Sequence, residues 1–122
     1  MKANSVSALI VSQPGPLRDG LRALLTAMSR VKIIGEASDT ASVLRVIYRH
    51  CPTLVLMDAD LPGDEAQDTL KAIKTNWPQV RCVVLVSTVE QQQAVVRAGA
   101  DSAPLKGLLA EKLYAAIEEL LS

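Results

Sequence analysis

The segment LVLMDADLPG (54–63) carries an unbroken apolar run into two carboxylates, Asp58 and Asp60, just before the turn pair Pro62-Gly63. Carboxylates at the end of a strand that reads as buried ask for a functional explanation. On an extended chain residues two apart share a face, so Asp58 and Asp60 converge as a weak cation site if that geometry persists, and the turn at Pro62 works against it. The same D-x-D spacing permits one carboxylate to attack while the other handles a proton. Opposite charge comes from Lys106, at the end of RAGADSAPLK (97–106). Ser12 and Gln13 follow the first apolar run, and Val86, Ser87 and Thr88 follow the fourth.

Other polar residues have simpler readings. His50, before Cys51-Pro52, suits the negative end of a helix dipole better than a metal. Cys51 and Cys82 make no C-x-x-C pair and read as small core residues. Glu90-Gln91-Gln92-Gln93 reads as a solvated helix start, and Asp64 and Glu65 suit the positive N-terminus of the helix that follows them.

Apolar runs alternate with stretches of helical period, the pattern of βα units around a parallel sheet. The predicted strands are 8–11, 31–35, 54–57, 82–86 and 102–105. The first helix carries Leu17, Leu21, Leu24, Leu25 and Met28 on one stripe. The second is capped by Asp39 or Thr40 and buries Val43, Leu44 and Ile47. The third buries Ala66, Leu70, Ile73 and Trp77 and stops before Pro78. A short helix over about 90–98 ends at Gly99, and Leu109, Leu113, Ala116, Ile117 and Leu120 stripe the last. Pro104 cannot donate to a ladder, which sends the fifth strand to a sheet edge. A parallel sheet that reverses order has its binding crevice at the carboxyl ends of the first and third strands, where Ser12, Gln13, Asp58 and Lys106 are delivered.

Three stretches, LIVSQPGPLRDGLRALL (9–25), VLMDADLPG (55–63) and RAGADSAPLK (97–106), with IIGEASD (33–39) in support, make the chain resemble the receiver domains of bacterial two-component response regulators, in the subgroup with helix-turn-helix outputs. The resemblance runs from Leu9 to Leu121 and implies one domain over 1–122, a flavodoxin-like (βα)5 fold in three layers, with a five-stranded parallel sheet ordered 2-1-3-4-5. It makes Asp58 the candidate phosphoacceptor and Lys106 the amine that pairs with phosphoryl oxygens. The family's two acidic magnesium ligands fall on Ser12 and Gln13, a hydroxyl and an amide that serve a hard dication poorly. Its hydroxyl residue aligns with Val86, or with Ser87 or Thr88 if the register shifts, and its switch aromatic falls on Ala103. Asp60 stands where the family uses a backbone carbonyl.

What this implies is a pseudo-receiver: a non-enzymatic domain that signals through protein contacts, with weak or absent magnesium binding and phosphorylation. Its partners would be a histidine kinase, an output domain or a second copy meeting it through the fourth and fifth helices and the edge strand. The rivals are a working receiver phosphorylated on Asp58, a phosphoaspartyl hydrolase built on Asp58 and Asp60, and a flavodoxin-like nucleotide binder. The last lacks any glycine-rich phosphate motif. Thirteen basic residues offset thirteen acidic ones, which gives no electrostatic pull toward nucleic acid or an anionic membrane. With no leader pattern at the N-terminus and no disulfide framework, the expected location is the cytoplasm.

Overall fold

The computed structural model describes residues 5–63 and 65–121. Its strands are β1 (Val6–Val11), β2 (Val31–Ala37), β3 (Leu54–Asp58) and β4 (Arg81–Leu85). Its helices are α1 (Pro16–Thr26), α2 (Thr40–His50), α3 (Glu65–Asn76), α4 (Val89–Arg97) and α5 (Leu109–Leu121), with a 3-10 turn over Lys106–Leu108. The strands form one parallel sheet in the order β2-β1-β3-β4.

Successive side chains on a strand point to opposite faces, so the central strands divide the core in two. Leu9, Val11, Val55, Met57 and Val84 meet Val43, Ile47, Leu70, Ile73 and Val95 from α2, α3 and α4. Ala8, Ile10, Leu54, Leu56 and Leu85 meet Leu21, Leu25, Leu113 and Ile117 from α1 and α5. The result is the doubly wound, three-layer arrangement. It explains why β1 and β3 read as continuous apolar runs, being covered on both sides.

Residues 102–105 depart from the expected fifth strand. Two isolated bridges, Val83 to Ser102 and Val86 to Leu105, hold this segment beside β4 at the sheet edge. The N–H groups of Val84 and Val86 donate to the carbonyls of Ser102 and Pro104 at 2.9 and 3.0 Å, and the Lys106 N–H returns to the Val86 carbonyl at 2.9 Å. The rung between them is missing because Pro104 has no hydrogen to give, so four strands are regular rather than five. These rungs, with a further one from the Ser102 N–H to the Cys82 carbonyl at 3.3 Å, still fix Lys106 at the crevice.

Several local expectations are corrected. Cys51 is exposed rather than core: it ends α2 in a left-handed conformation (φ 42°) ahead of Pro52, and that turn leaves it at the surface. Glu65 stands in the first turn of α3 as expected, and its carboxylate also accepts from the backbone N–H of Thr40 at 3.0 Å, tying α3 to α2. Trp77 lies one residue past α3, half-buried against the core. Asp39 alone caps α2, accepting from the Ser42 N–H at 2.8 Å. Asp64 and the side chains of Leu109 and Leu120 lie outside the described residues. Among the described residues no helix is long and apolar enough to cross a membrane.

Gly99 follows α4 with φ 114°, and a Cβ there would stand 2.9 Å from Cγ of Lys74. Gly99→Ala is therefore expected to lower stability by roughly 1–3 kcal/mol, read as a fall in the urea midpoint. Gly20→Ala, in α1 with nothing within 4 Å of its Cβ, is the control and leaves the midpoint unchanged or higher.

Candidate functional site

Parallel pairing places the C-terminal ends of β1, β3 and β4 side by side, with Val11 opposite Met57 and Asp58 opposite Leu85. Asp58 is the last residue of β3 and is 8% exposed, so its charge needs a partner within reach. Lys106 supplies it, with Nζ 2.8 Å from Asp58 Oδ1. The same ammonium lies 2.7 Å from Asp60 Oδ2, and therefore bridges both carboxylates. The chain turns after β3 so that the Asp60 N–H donates to Asp58 Oδ1 at 2.9 Å. That turn, rather than continued extension, brings the two acids together.

Of the three residues predicted after the fourth strand, each has a different place. Val86 is fully buried in the core. Ser87 reaches into the crevice, where its hydroxyl donates to Asp60 Oδ2 at 2.7 Å. Thr88 is the N-cap of α4 and accepts from the Gln91 N–H at 3.0 Å. Gln91, expected to be merely solvated, belongs to the site: its amide donates to Asp60 Oδ1 at 2.5 Å and accepts from the Ser87 N–H at 2.7 Å. The sequence did hold a signal, since Thr88-Val89-Glu90-Gln91 has capping-box spacing, which turns a glutamine back toward the helix start.

The end of β1 is occupied by its own local bonds. Ser12 is buried and donates its hydroxyl to the Gln13 carbonyl at 3.0 Å, and the Gln13 amide donates to the Ser38 carbonyl at 3.2 Å. Arg18, which no motif singled out, donates from Nη2 to the Ser12 carbonyl and lies 3.7 Å from Glu36 Oε1. Arg22 grips the same Glu36 with both ends of its fork, at 2.6 and 2.8 Å, and those bonds hold the Glu36 carboxyl below its usual range. Among the described residues no three His, Cys, Asp or Glu side chains converge.

Electrostatically the crevice is a closed triad. The bond from Lys106, then those from Gln91 and Ser87, bring Asp60 down to about 2. Burial pulls Lys106 downward, but its bonds to Asp58 and Asp60 outweigh that, and it is held above its ordinary value. A depressed carboxyl contributes stability that is present above its unfolded value and lost as pH falls through the folded one. Carboxyl NMR is accordingly expected to find the Asp60 midpoint near 2. Lys106→Met should move that midpoint upward; no movement would mean that the ammonium does not set it.

The family model described as the response regulator receiver domain matches residues 8–118. The transcriptional regulatory protein LiaR of Bacillus subtilis (strain 168) is 30% identical over 114 residues, covering 92% of this chain and 54% of its own length. The uncharacterized transcriptional regulatory protein YhcZ of the same organism is 31% identical over 99 residues, covering 80% of this chain and 46% of its own. This chain thus spans about half the length of the curated relatives it matches. A LuxR-family two-component response regulator from Aurantimonas sp. SI85-9A1 superimposes with a TM-score of 0.86 at 23% identity, over 96% of this chain and 85% of that one. The response regulator domain of Thermotoga maritima CheB gives 0.83 at 19%, over 96% of each chain.

Proposed function

The chain belongs to the response regulator receiver domain family, and from that premise we propose that it is an atypical receiver, passing a signal through protein contacts and taking a phosphoryl group on Asp58 weakly or not at all. One observation carries the reading: Lys106, the amine that would meet an incoming phosphoryl group, already bridges Asp58 and Asp60 while the end of β1 offers only Ser12 and Gln13. Phosphoryl transfer is driven chiefly by positioning and by charge neutralisation, and both depend on cations that are free to meet the phosphate. The magnesium ion of this family wants anionic and water oxygens in octahedral geometry. Here a hydroxyl and an amide stand at the end of β1, each engaged with a backbone carbonyl, and the buried carboxylate of Asp58 faces an ammonium. These residues do not fit that ion.

The surviving pair of Asp58 and Lys106 favours a working receiver as the second reading. A small-molecule phosphodonor with magnesium, followed by intact-mass measurement, separates the two. The expected result is no stoichiometric adduct; an adduct that disappears in Asp58→Ala would establish the working receiver instead. A hydrolase on the D-x-D pair gains no support, because a carboxyl held at about 2 is a poor proton donor near neutrality.

By the same reading the partners are proteins: a histidine kinase, an output domain or a second copy of the chain. A groove of about 820 Å³ between the edge segment and α5, lined by Gln92, Ala103, Pro104, Lys112, Ala115 and Glu119 among others, lies on the face the resemblance assigns to such contacts. The zero net charge supports a domain that does not itself touch nucleic acid.

A further inference from the structure

Three donors from three separate segments converge on one side chain. Lys106, from the 3-10 turn after the edge segment, and Ser87, from the turn between β4 and α4, both donate to Asp60 Oδ2 at 2.7 Å. Gln91, in the first turn of α4, donates to Asp60 Oδ1 at 2.5 Å. One positive charge, one hydroxyl and one amide around two oxygens are what an oxyanion requires, and charge-assisted bonds of this kind are the strong ones. The ring then closes on itself, since Gln91 Oε1 accepts the Ser87 N–H at 2.7 Å. Asp60 is in turn anchored to β3 through its own N–H on Asp58.

What this ring holds is an element with few other ties. Val95 is the one buried residue of α4, and a side-chain bond from the Gln92 amide to the Ala103 carbonyl, at 2.7 Å, joins the helix to the edge segment. The helix also carries Val89 and Val96, more than half exposed, on its surface. A helix with one core anchor takes its position at the N-terminal end from whatever fixes its first turn.

We propose that Asp60 is the resident anion of a site formed by Lys106, Ser87 and Gln91, and that by filling it Asp60 latches the first turn of α4 to the end of β3 without any covalent modification. The latch rests on the receiver reading for its place in signalling, because it concerns the same pocket. It accounts for the carboxylate at 60 and for the glutamine at 91, neither of which the phosphoacceptor alone explains. It also makes the α4 surface, with Val89 and Val96, a fixed feature of the unmodified chain.

Hydrogen exchange on the native chain, Asp60→Ala, Asp60→Asn and Gln91→Ala, without magnesium or phosphodonor, tests it. Ser87 and Gln91 are accessible to water once released, so loss of the latch is local. The amides of Ser87, Gln91 and Gln92 should exchange at least about tenfold faster in Asp60→Ala and in Gln91→Ala, with a smaller rise in Asp60→Asn, which keeps an acceptor but loses the charge. Exchange in β1, β3 and α1 should stay within about twofold of native. Unchanged exchange at 87–92, or an equal rise in every element, would overturn the latch. Should Asp60→Ala not fold, the near-isosteric Asp60→Asn and the Gln91→Ala variant decide the matter by the same readout. A phosphoryl adduct on the native chain would sink the atypical-receiver reading and leave this result standing, whereas unaltered exchange would do the reverse.

Discussion

A Ser12→Asp, Gln13→Asp double variant is expected to bind magnesium and to take up a phosphoryl group on Asp58 at least about a hundredfold faster than the native chain. The register makes the location right: Val11 pairs with Met57, so residues 12 and 13 emerge beside Asp58 at the same end of the sheet. Two added carboxylates supply the anionic oxygens that the hydroxyl and amide lack. They also carry a cost. Ser12 is 1% exposed, so an aspartate there is buried next to two existing acids, with the Arg18 guanidinium on the residue 12 carbonyl as the nearest added positive charge. The ion-free variant should therefore be less stable than native. Magnesium should recover the loss, since a ligand at a hundredfold excess over its dissociation constant stabilises by about 2.7 kcal/mol. Thermal midpoints with and without the ion, beside a mass time course with a phosphodonor, read both effects. A variant that shows neither a magnesium-dependent midpoint nor an adduct would mean that the deficit lies elsewhere in the crevice. Adding Asp60→Asn to the pair should speed uptake further, because Lys106 is then released from one of its two carboxylates.

The periodicities sufficed for the layers. Leu21 and Leu25, Val43 and Ile47, and Leu70 and Ile73 are buried where helical spacing put them, because a stripe of that width has nowhere to go but the sheet. What periodicity could not carry was geometry created by exceptions. Pro104 announced an edge position, but not that its missing N–H would reduce the strand to two bridges. Asp60 was legible as a second acid after β3 and its turn as a break in extension. Their combination, a backbone N–H folded back on Asp58 with the carboxylate turned toward Lys106, depends on three-dimensional closure. Ser87 and Val86 differ by one position along a chain leaving a strand, and only the end of β4 at Leu85 decides which faces the core. Gln91 and Arg18 sit on helix first turns, where any polar residue looks solvated until the neighbouring strand ends are in place. Cys51 misled because small apolar residues are usually inside, while the left-handed helix end is a property of the backbone and not of the side chain.

Lys106→Met is expected to cost about 2–3 kcal/mol of stability at neutral pH, read as a shift in the urea midpoint. The ammonium bridges Asp58 and Asp60, and methionine keeps most of its aliphatic length while removing the charge. The loss should fall mainly on Asp58, which is 8% exposed, since the Asp60 side chain is nearly half open to solvent and can be hydrated in place. Asp58→Asn in the Lys106→Met background should then restore most of the stability, whereas Asp58→Asn alone, which strands the ammonium on Asp60, should not raise it. The pH dependence has a definite sign. Without the lysine two like charges face each other, so one carboxyl is raised and contributes stability only while it keeps its proton, losing it as pH rises. In the native chain the depressed Asp60 does the opposite, contributing above the ordinary carboxylate range and losing that contribution as pH falls toward about 2. The two stability curves should therefore converge in acid toward about 2, separate as pH rises from there through the ordinary carboxylate range while the native chain gains its Asp60 contribution, and show the full deficit near neutrality. A deficit of the same size at both ends of that range would assign the role of Lys106 to the packing of its aliphatic stem, and the electrostatic account of the crevice would fall with it.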